Sequence, residues 1–456
     1  MAELPRLPGR RVHVVGAGGA GMSGLAKLLS QLGFEVTGSD LKPTRTLDLL
    51  GDVGVRTWVG HRPDEIADVD LVVASSAVPD RDPELAAASA GGIPIWRRPR
   101  LLRALTEAMP TAGFAGTHGK TTSTAMAVAA LRGTGADPSF VVGGELVDDY
   151  TNAHLGTDEL LVLEADEAFG TFRHLHLRAL MVTNVEADHL DHYGTVLALE
   201  DAFRQVALAV EGPVVGCVDD PGVRRLARAV DVLGYGTDPA ADWRIVEPVV
   251  DVAASRFVLA GPGVELPVTV PKPGMHVVRN AAGVLVLLGA LGYGLDGLAA
   301  GLRDFGGVRR RWEVRARIGD VVVVEDYAHH PTEIAATLDA ARRAASGRVH
   351  VVFQPHRYSR TADLGPAFGA PLAAADEVLV TEVYPAGERP IPGVTGRVVA
   401  DAVAAAGGRV RFVPELGEIP GVLGELVAAG DVVLLLGAGD VGTIADAVAR
   451  VLEEGR

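Results

Sequence analysis

Short runs of β-branched residues and leucine alternate with alanine- and leucine-rich stretches along the whole chain, and this alternation restricts the fold more than any other feature. Such runs suit strands buried on both faces, and the stretches between them suit helices that cover the sheet. The chain therefore reads as α/β with mainly parallel sheets. The pattern resets twice. From Arg11 to about Ala108, VHVV, EVTGSD and LVVASS follow one another at βαβ spacing. A second series opens near Met109 with LLVLEAD, LMVTNV and PVVGCV, then a β-rich insert in which Arg256 to Val270 reads as a hairpin turning at Gly261-Pro262-Gly263. A third series follows Gly306-Gly307, with VVVVED, RVHVVFQ, DEVLVTEV and DVVLLLG. The expectation is three domains, 1–108, 109–312 and 313–456, of which the outer two are Rossmann-like and the central one of P-loop ATPase type.

Composition narrows the function classes. A net charge of −16 over 456 residues argues against nonspecific nucleic-acid binding. The single Cys217 excludes an internal disulfide and suits a reducing compartment. No apolar run is long enough to cross a membrane, and no signal peptide is read before the strand at Arg11 to Val15. A cytoplasmic enzyme acting on small molecules is expected, monomeric or homodimeric, without membrane insertion.

The sharpest local signal is Gly116-Thr117-His118-Gly119-Lys120-Thr121-Thr122, between an apolar strand ending at Ala115 and a helix read over Ser123 to Leu131. Backbone amides and a helix N-terminus there would face an anion, Lys120 can reach terminal phosphates, and Thr121 can hold Mg²⁺. Of 42 basic residues only Lys27, Lys42, Lys120 and Lys272 are lysines, so a lysine at this turn is not background. The strict GxxxxGK[ST] form fails, since Phe114 takes the first glycine position.

Gly16-Ala17-Gly18-Gly19-Ala20-Gly21 also follows a strand and opens a helix, and Asp40 ends the next strand at the spacing of a ribose-binding acid. These glycines select a diphosphate and say nothing about nicotinamide, so an NAD-linked oxidoreductase is the lesser reading. Gly437 to Gly442 repeats the pattern without a following acidic strand and reads as a close-packed turn. Glu164-Ala165-Asp166-Glu167 and Asn184-Val185-Glu186-Ala187-Asp188-His189 each leave a strand of the phosphate-loop series. One carboxylate with Thr121, ATP phosphates and waters would satisfy Mg²⁺. His276 and Asn280, four apart on a helix, suit the edge of a base. In the third series, Asp326-Tyr327-Ala328-His329-His330-Pro331 and Pro355-His356-Arg357-Tyr358-Ser359-Arg360 follow strands expected to be neighbours. Their arginines match a carboxylate bidentately.

Taken in order, GAGGAGMSG, GTHGKTT, EADE, TNVEADHLDHY, RRRWE, EDYAHHPTE, FQPHRYSRT and YPAGERPI make the chain resemble the Mur amide ligases of peptidoglycan assembly. FQPHRYSRT resembles the alanine-adding branch more than those adding D-glutamate or later residues, or the ligase that recycles murein tripeptide, which stays as the alternative. The resemblance implies ATP-dependent ligation of L-alanine to the lactyl carboxylate of UDP-N-acetylmuramate through an acyl phosphate. It implies that Gly16, Gly18, Gly19, Gly21, Asp40, His61 and Ser75 hold the UDP sugar. ATP falls to Gly116 through Thr122 with His276 and Asn280, and Mg²⁺ to Thr121, Glu164 and His189. Lys120, Glu164, His189, Arg311 and Asp326 are the implied catalytic set, and Tyr327, His329, His356, Arg357 and Arg360 the L-alanine set. Val277 and Ala168-Phe169 depart from the family pattern.

Overall fold

The computed structural model describes residues 5–251 and 253–455. A five-stranded parallel sheet contains β1 (Arg11–Val15), β2 (Glu35–Asp40), β3 (Arg56–Val59), β4 (Leu71–Ala74) and β5 (Ile95–Arg97), in the order β3-β2-β1-β4-β5. A ten-stranded sheet follows, built from β6 (Thr111–Ala115), β7 (Ser139–Leu146), β8 (Thr151–His154), β9 (Leu161–Glu164), β10 (Ala179–Val182), β11 (Val214–Cys217), β12 (Leu233–Gly236), β13 (Trp243–Val250), β14 (Ser255–Gly261) and β15 (Val264–Val270). Its order is β15-β14-β13-β12-β11-β10-β6-β9-β7-β8, with the expected hairpin at Gly261 to Val264. The last sheet has six strands, β16 (Glu313–Ile318), β17 (Val321–Asp326), β18 (Val349–Phe353), β19 (Glu377–Val380), β20 (Val410–Phe412) and β21 (Val432–Leu436), ordered β16-β17-β21-β18-β19-β20.

Six strands are buried along their whole length, most of them apolar runs broken at most by one polar residue. Every residue of β4, β6, β10, β11, β18 and β21 is buried, as helices on both faces of a parallel sheet require. One expectation fails. β17 and β18 are not neighbours: β21 lies between them and pairs in parallel with both. Its five apolar residues suit the central position, and strands consecutive in sequence are adjacent in only about two-thirds of cases.

These elements form two compact units, one of described residues within 1–247, 257–269 and 279–306, the other within 248–256, 270–278 and 307–456. In the first unit the helix Ala20–Gln31 packs on β7 and β8, joining the five-stranded sheet to the phosphate-loop series. Lys27 Nζ donates to Thr151 Oγ1 at 2.6 Å and Asn152 Nδ2 donates to Ala20 O at 2.7 Å across this seam. One apolar cluster runs through it, from Val12 and Leu25 by way of Val141 and Ala153 to Leu163 and Phe203.

Candidate functional site

The Gly116 to Thr122 loop turns between β6 and the helix Lys120–Gly133, which begins three residues earlier than the apolar pattern suggests. Gly116 (φ +131°) and Gly119 (φ +85°) adopt left-handed backbone that side chains avoid. A Cβ on Gly119 would also stand 3.0 Å from the Asn280 carboxamide, so this buried asparagine lies against the phosphate loop. Two residues of the segment after β10 fix the loop's crest. Asn184 Oδ1 accepts from His118 N at 2.9 Å, while Asn184 Nδ2 and Thr183 Oγ1 donate to His118 O at 3.0 and 2.5 Å. Thr117 Oγ1 accepts from Glu186 N at 2.9 Å, and His118 Nε2 stands 3.5 Å from Glu186 Oε2.

Lys120 Nζ donates to Gly116 O at 2.7 Å, to Thr117 O at 3.1 Å and to Glu167 Oε1 at 2.9 Å, with Glu167 Oε2 at 2.8 Å. Burial alone would lower the lysine's pKa. The charges of Glu167, Asp166 and Glu164 outweigh it and raise the value above that of an ordinary ammonium. Burial pushes Glu167, at 1% exposure, up to about 7 against the pull of Lys120. Glu164, at the end of β9, accepts from Thr121 Oγ1 at 3.1 Å and from Gly143 N at 2.8 Å. His189 (φ +53°) places Nε2 3.8 Å from Glu167 Oε1 and 3.8 Å from Asp188 Oδ2. Glu167 thus joins Lys120 to His189, while Glu164, whose charge also acts on Lys120, holds Thr121.

The first sheet gathers its candidates at the carboxyl ends of β1, β2 and β4, where the strand order reverses. Gly16 N and Ala17 N donate to Ser39 O, and Gly16 (φ +81°) faces Ser75. Gly19 caps the helix that carries Gly21. Asp40 is turned inward: Oδ2 accepts from Gly18 N at 2.9 Å, so the acid braces the glycine loop. His61 Nδ1 lies 3.5 Å from Asp82 Oδ2, beyond the end of β3.

In the second unit the two basic loops converge across the end of β21. The Tyr327 and His329 rings are 5.2 Å apart, and those of His329 and His356 6.0 Å. Burial lowers the His329 pKa to about 4, with Arg360 and Arg311 adding to the effect. It lowers His356 to about 3, helped by His329, Arg360 and Arg357. Both rings are neutral near pH 7. His329 Nδ1 lies 2.9 Å from Tyr327 O, which fixes the hydrogen on that nitrogen. Arg357 (φ +71°) precedes the helix Tyr358–Leu364, on which Arg360 sits. Arg311 Cζ stands 4.8 Å over the Tyr327 ring. Asp326 is occupied by backbone, accepting from Trp312 N at 2.8 Å and Ala328 N at 2.9 Å, and burial raises its pKa. Pro331 opens the helix Pro331–Ala344 behind a His330/Glu333 capping box. His276 lies in the first turn of the helix Met275–Ala290, its ring against Gly274, and Val277 is buried beside it.

Comparison with known proteins matches residues 11–109 to the Mur ligase family catalytic domain, 114–288 to the Mur ligase middle domain and 310–439 to the Mur ligase glutamate ligase domain. The UDP-N-acetylmuramate–L-alanine ligase of Acidothermus cellulolyticus is 46% identical over 438 residues, 94% of this chain and 92% of the relative. The chain belongs to the Mur ligase family. The enzyme of the same name from Kineococcus radiotolerans is 45% identical, covering 97% of this chain and 96% of its own. Among solved structures, the UDP-N-acetylmuramate-alanine ligase of Thermotoga maritima superposes with a TM-score of 0.84 at 29% identity, covering 98% of this chain and 100% of its own.

Within this Mur ligase, several residues at the site had no role in the sequence reading. Glu167 was visible as the last letter of EADE, but nothing local says which of three carboxylates faces Lys120. Thr183 and Asn184 were legible only as the exit of a strand. Phe169 adopts a left-handed conformation (φ +54°) and is exposed, so the departure at Ala168-Phe169 falls outside the Lys120 network. The Gly437 to Gly442 turn is close-packed as read: Arg310 donates to Gly437 O and Gly439 O, and Gln354 Oε1 accepts from Asp440 N.

Proposed function

We propose that this chain joins L-alanine to the lactyl carboxylate of UDP-N-acetylmuramate, converting ATP to ADP and phosphate, in peptidoglycan precursor synthesis. The observation that carries this reading is identity of 41–46% to relatives of that name over nearly the whole of both chains. The proposed division of labour is 1–108 for the UDP sugar, 109–312 for ATP and 313–456 for L-alanine. We place the reaction in the cytoplasm; among the described residues no helix is long and apolar enough to cross a membrane.

A carboxylate is inert to amines until it carries a leaving group. The lactyl carboxylate therefore attacks the γ-phosphorus of ATP, giving an acyl phosphate and ADP. The alanine amine then attacks the acyl carbon, and phosphate leaves. In the first step each pair of like charges at 4 Å repels by about 4 kcal/mol at an effective dielectric of 20. Lys120, held protonated, supplies the opposing charge at the phosphate loop. The residues at Thr121 and Glu164 also fit Mg²⁺: their oxygens are 3.1 Å apart, and two adjacent octahedral ligands at 2.1 Å stand about 3.0 Å apart. Bound there, with His189 as the further proposed ligand, Mg²⁺ would neutralise phosphate charge. Arg311 and Asp326 are assigned to the nucleotide, His276 and Asn280 to the base side of ATP. Tyr327, His329, His356, Arg357 and Arg360 are assigned to alanine, whose carboxylate suits the arginine forks.

Phosphate release tests the reading. It should require ATP, UDP-N-acetylmuramate and an amino acid together, with L-alanine preferred over glycine, L-serine and D-glutamate. Release with murein tripeptide in place of L-alanine would move the chain to the recycling branch, and release without an acceptor would refute ligation.

A further inference from the structure

Two motifs have no part in the reaction as assigned above: YPAGERPI, which follows β19, and the glycine turn at Gly437 to Gly442. They meet at Tyr384. Its main chain binds the loop that carries His356, for Tyr384 N donates to Pro355 O and Arg357 N donates to Tyr384 O, both at 2.8 Å. Its ring lies nearly parallel to the His356 imidazole, at 9° with the centroids 5.7 Å apart, an offset stack. On the glycine turn, a Cβ on Gly439 would stand 2.6 Å from Tyr384 Cγ. Gly439 lacks the positive φ that would require glycine, so the Tyr384 ring and the Gln354 carboxamide are what exclude a side chain there. Gln354 also fixes the turn, accepting from Asp440 N at 2.9 Å and Val441 N at 3.1 Å and donating to Asp440 Oδ1 at 2.7 Å. Further along the loop, Glu388 accepts from Ser359 N at 3.0 Å and Ser359 Oγ at 2.6 Å, which closes it on the helix Tyr358–Leu364.

An imidazole is ordinarily oriented by a hydrogen bond on one of its ring nitrogens. His329 follows that rule at Nδ1 through Tyr327 O. The Nδ1 of His356 does not, being buried without a hydrogen-bond partner. Such a nitrogen is costly to leave unpaired, and a donor on a bound substrate would relieve it. In its place, the stack on Tyr384 and the edge contact with His329 hold the ring. We propose that Tyr384 is a positioning residue of the amino-acid site, fixing the plane of the His356 ring so that Nδ1 is presented to the amino acid. The inference rests on the proposed function, which assigns His356 to L-alanine. The effect is one of packing. A phenyl ring should serve as well as a phenol, whereas an aliphatic side chain leaves the imidazole free to turn about its broad χ2 well.

Phosphate release by the intact chain, with each substrate varied in turn, tests it. Tyr384→Leu should raise the KM for L-alanine about tenfold, the upper end of what an aromatic pair is worth. The KM values for ATP and UDP-N-acetylmuramate should stay within about twofold, and Tyr384→Phe should keep the KM for L-alanine within the same margin. Because Tyr384 acts through His356, Tyr384→Leu should add nothing in a His356→Ala background. Should Tyr384→Leu fold poorly, Gly439→Ala displaces the ring from its other side, and the same selective rise is expected. An unchanged KM for L-alanine in either folded variant overturns the role, as does an undiminished rise in the His356→Ala background. A rise in Tyr384→Phe equal to that in Tyr384→Leu also overturns it, by moving the effect to the hydroxyl. Absence of L-alanine-dependent release by the unmodified protein instead overturns the functional reading.

Discussion

Replacing Lys120 with alanine separates the lysine's two jobs. At the phosphate loop it supplies one positive charge. Without it, a repulsion of about 4 kcal/mol per unit pair goes uncompensated, roughly a thousandfold in rate. Within the free protein it is the counter-ion of Glu167, at 2.8–2.9 Å and almost wholly buried. Breaking such a pair costs about 3–5 kcal/mol when the remaining charge stays ionised. Here it does not, because burial already holds Glu167 at about 7. The variant takes up a proton instead, and the loss falls toward the ~1–2 kcal/mol of the broken hydrogen bonds. Lys120→Ala should therefore remain folded, bind UDP-N-acetylmuramate as before and release phosphate about a thousandfold more slowly. Adding Glu167→Gln should recover stability in thermal melts but not turnover. A fall of less than tenfold, or turnover regained in the double variant, would mean that the lysine serves only to neutralise Glu167.

Two further outcomes follow from groups outside that pair. Glu84 is fully buried and accepts from Ser39 Oγ, Trp58 Nε1 and Arg62 N; although burial opposes it, these donors and His13 bring its pKa down to about 2. Its stabilisation, about 3 kcal/mol, is therefore present above pH 4.5 and lost as pH falls toward 2. Urea midpoints between pH 7 and 3 should drop less steeply in Glu84→Gln than in the unmodified chain, and parallel curves would remove Glu84 as the cause. Arg360→Ala should raise the KM for L-alanine by about 10- to 100-fold, the worth of a charged hydrogen bond, with the KM for ATP unchanged. An unaltered alanine KM would take Arg360 out of the site.

How much of this was legible depends on whether the chemistry is local in sequence. The phosphate loop was, because its amides, lysine and hydroxyl come from seven consecutive residues on one strand-to-helix turn. The spacing of Asp40 was equally visible, yet its carboxylate braces Gly18 N, since an acid at a strand end meets the nearest unpaired amide first. The partner of Lys120 and the strand between the two basic loops were not legible, because each is chosen by tertiary packing. β21 arrives from the far end of the chain to separate β17 from β18, but the loops leave the same sheet edge and still bring His329 to His356. That meeting changes the chemistry read from the sequence. Buried among Arg311, Arg357 and Arg360, the two histidines are neutral and weakly basic. Burial is the main cause; under the proposed function, an alanine carboxylate paired with the arginines removes their smaller contribution. Each imidazole then becomes a better proton acceptor when the amine that must lose its proton is in place, so substrate binding and base strength are coupled through the same arginines.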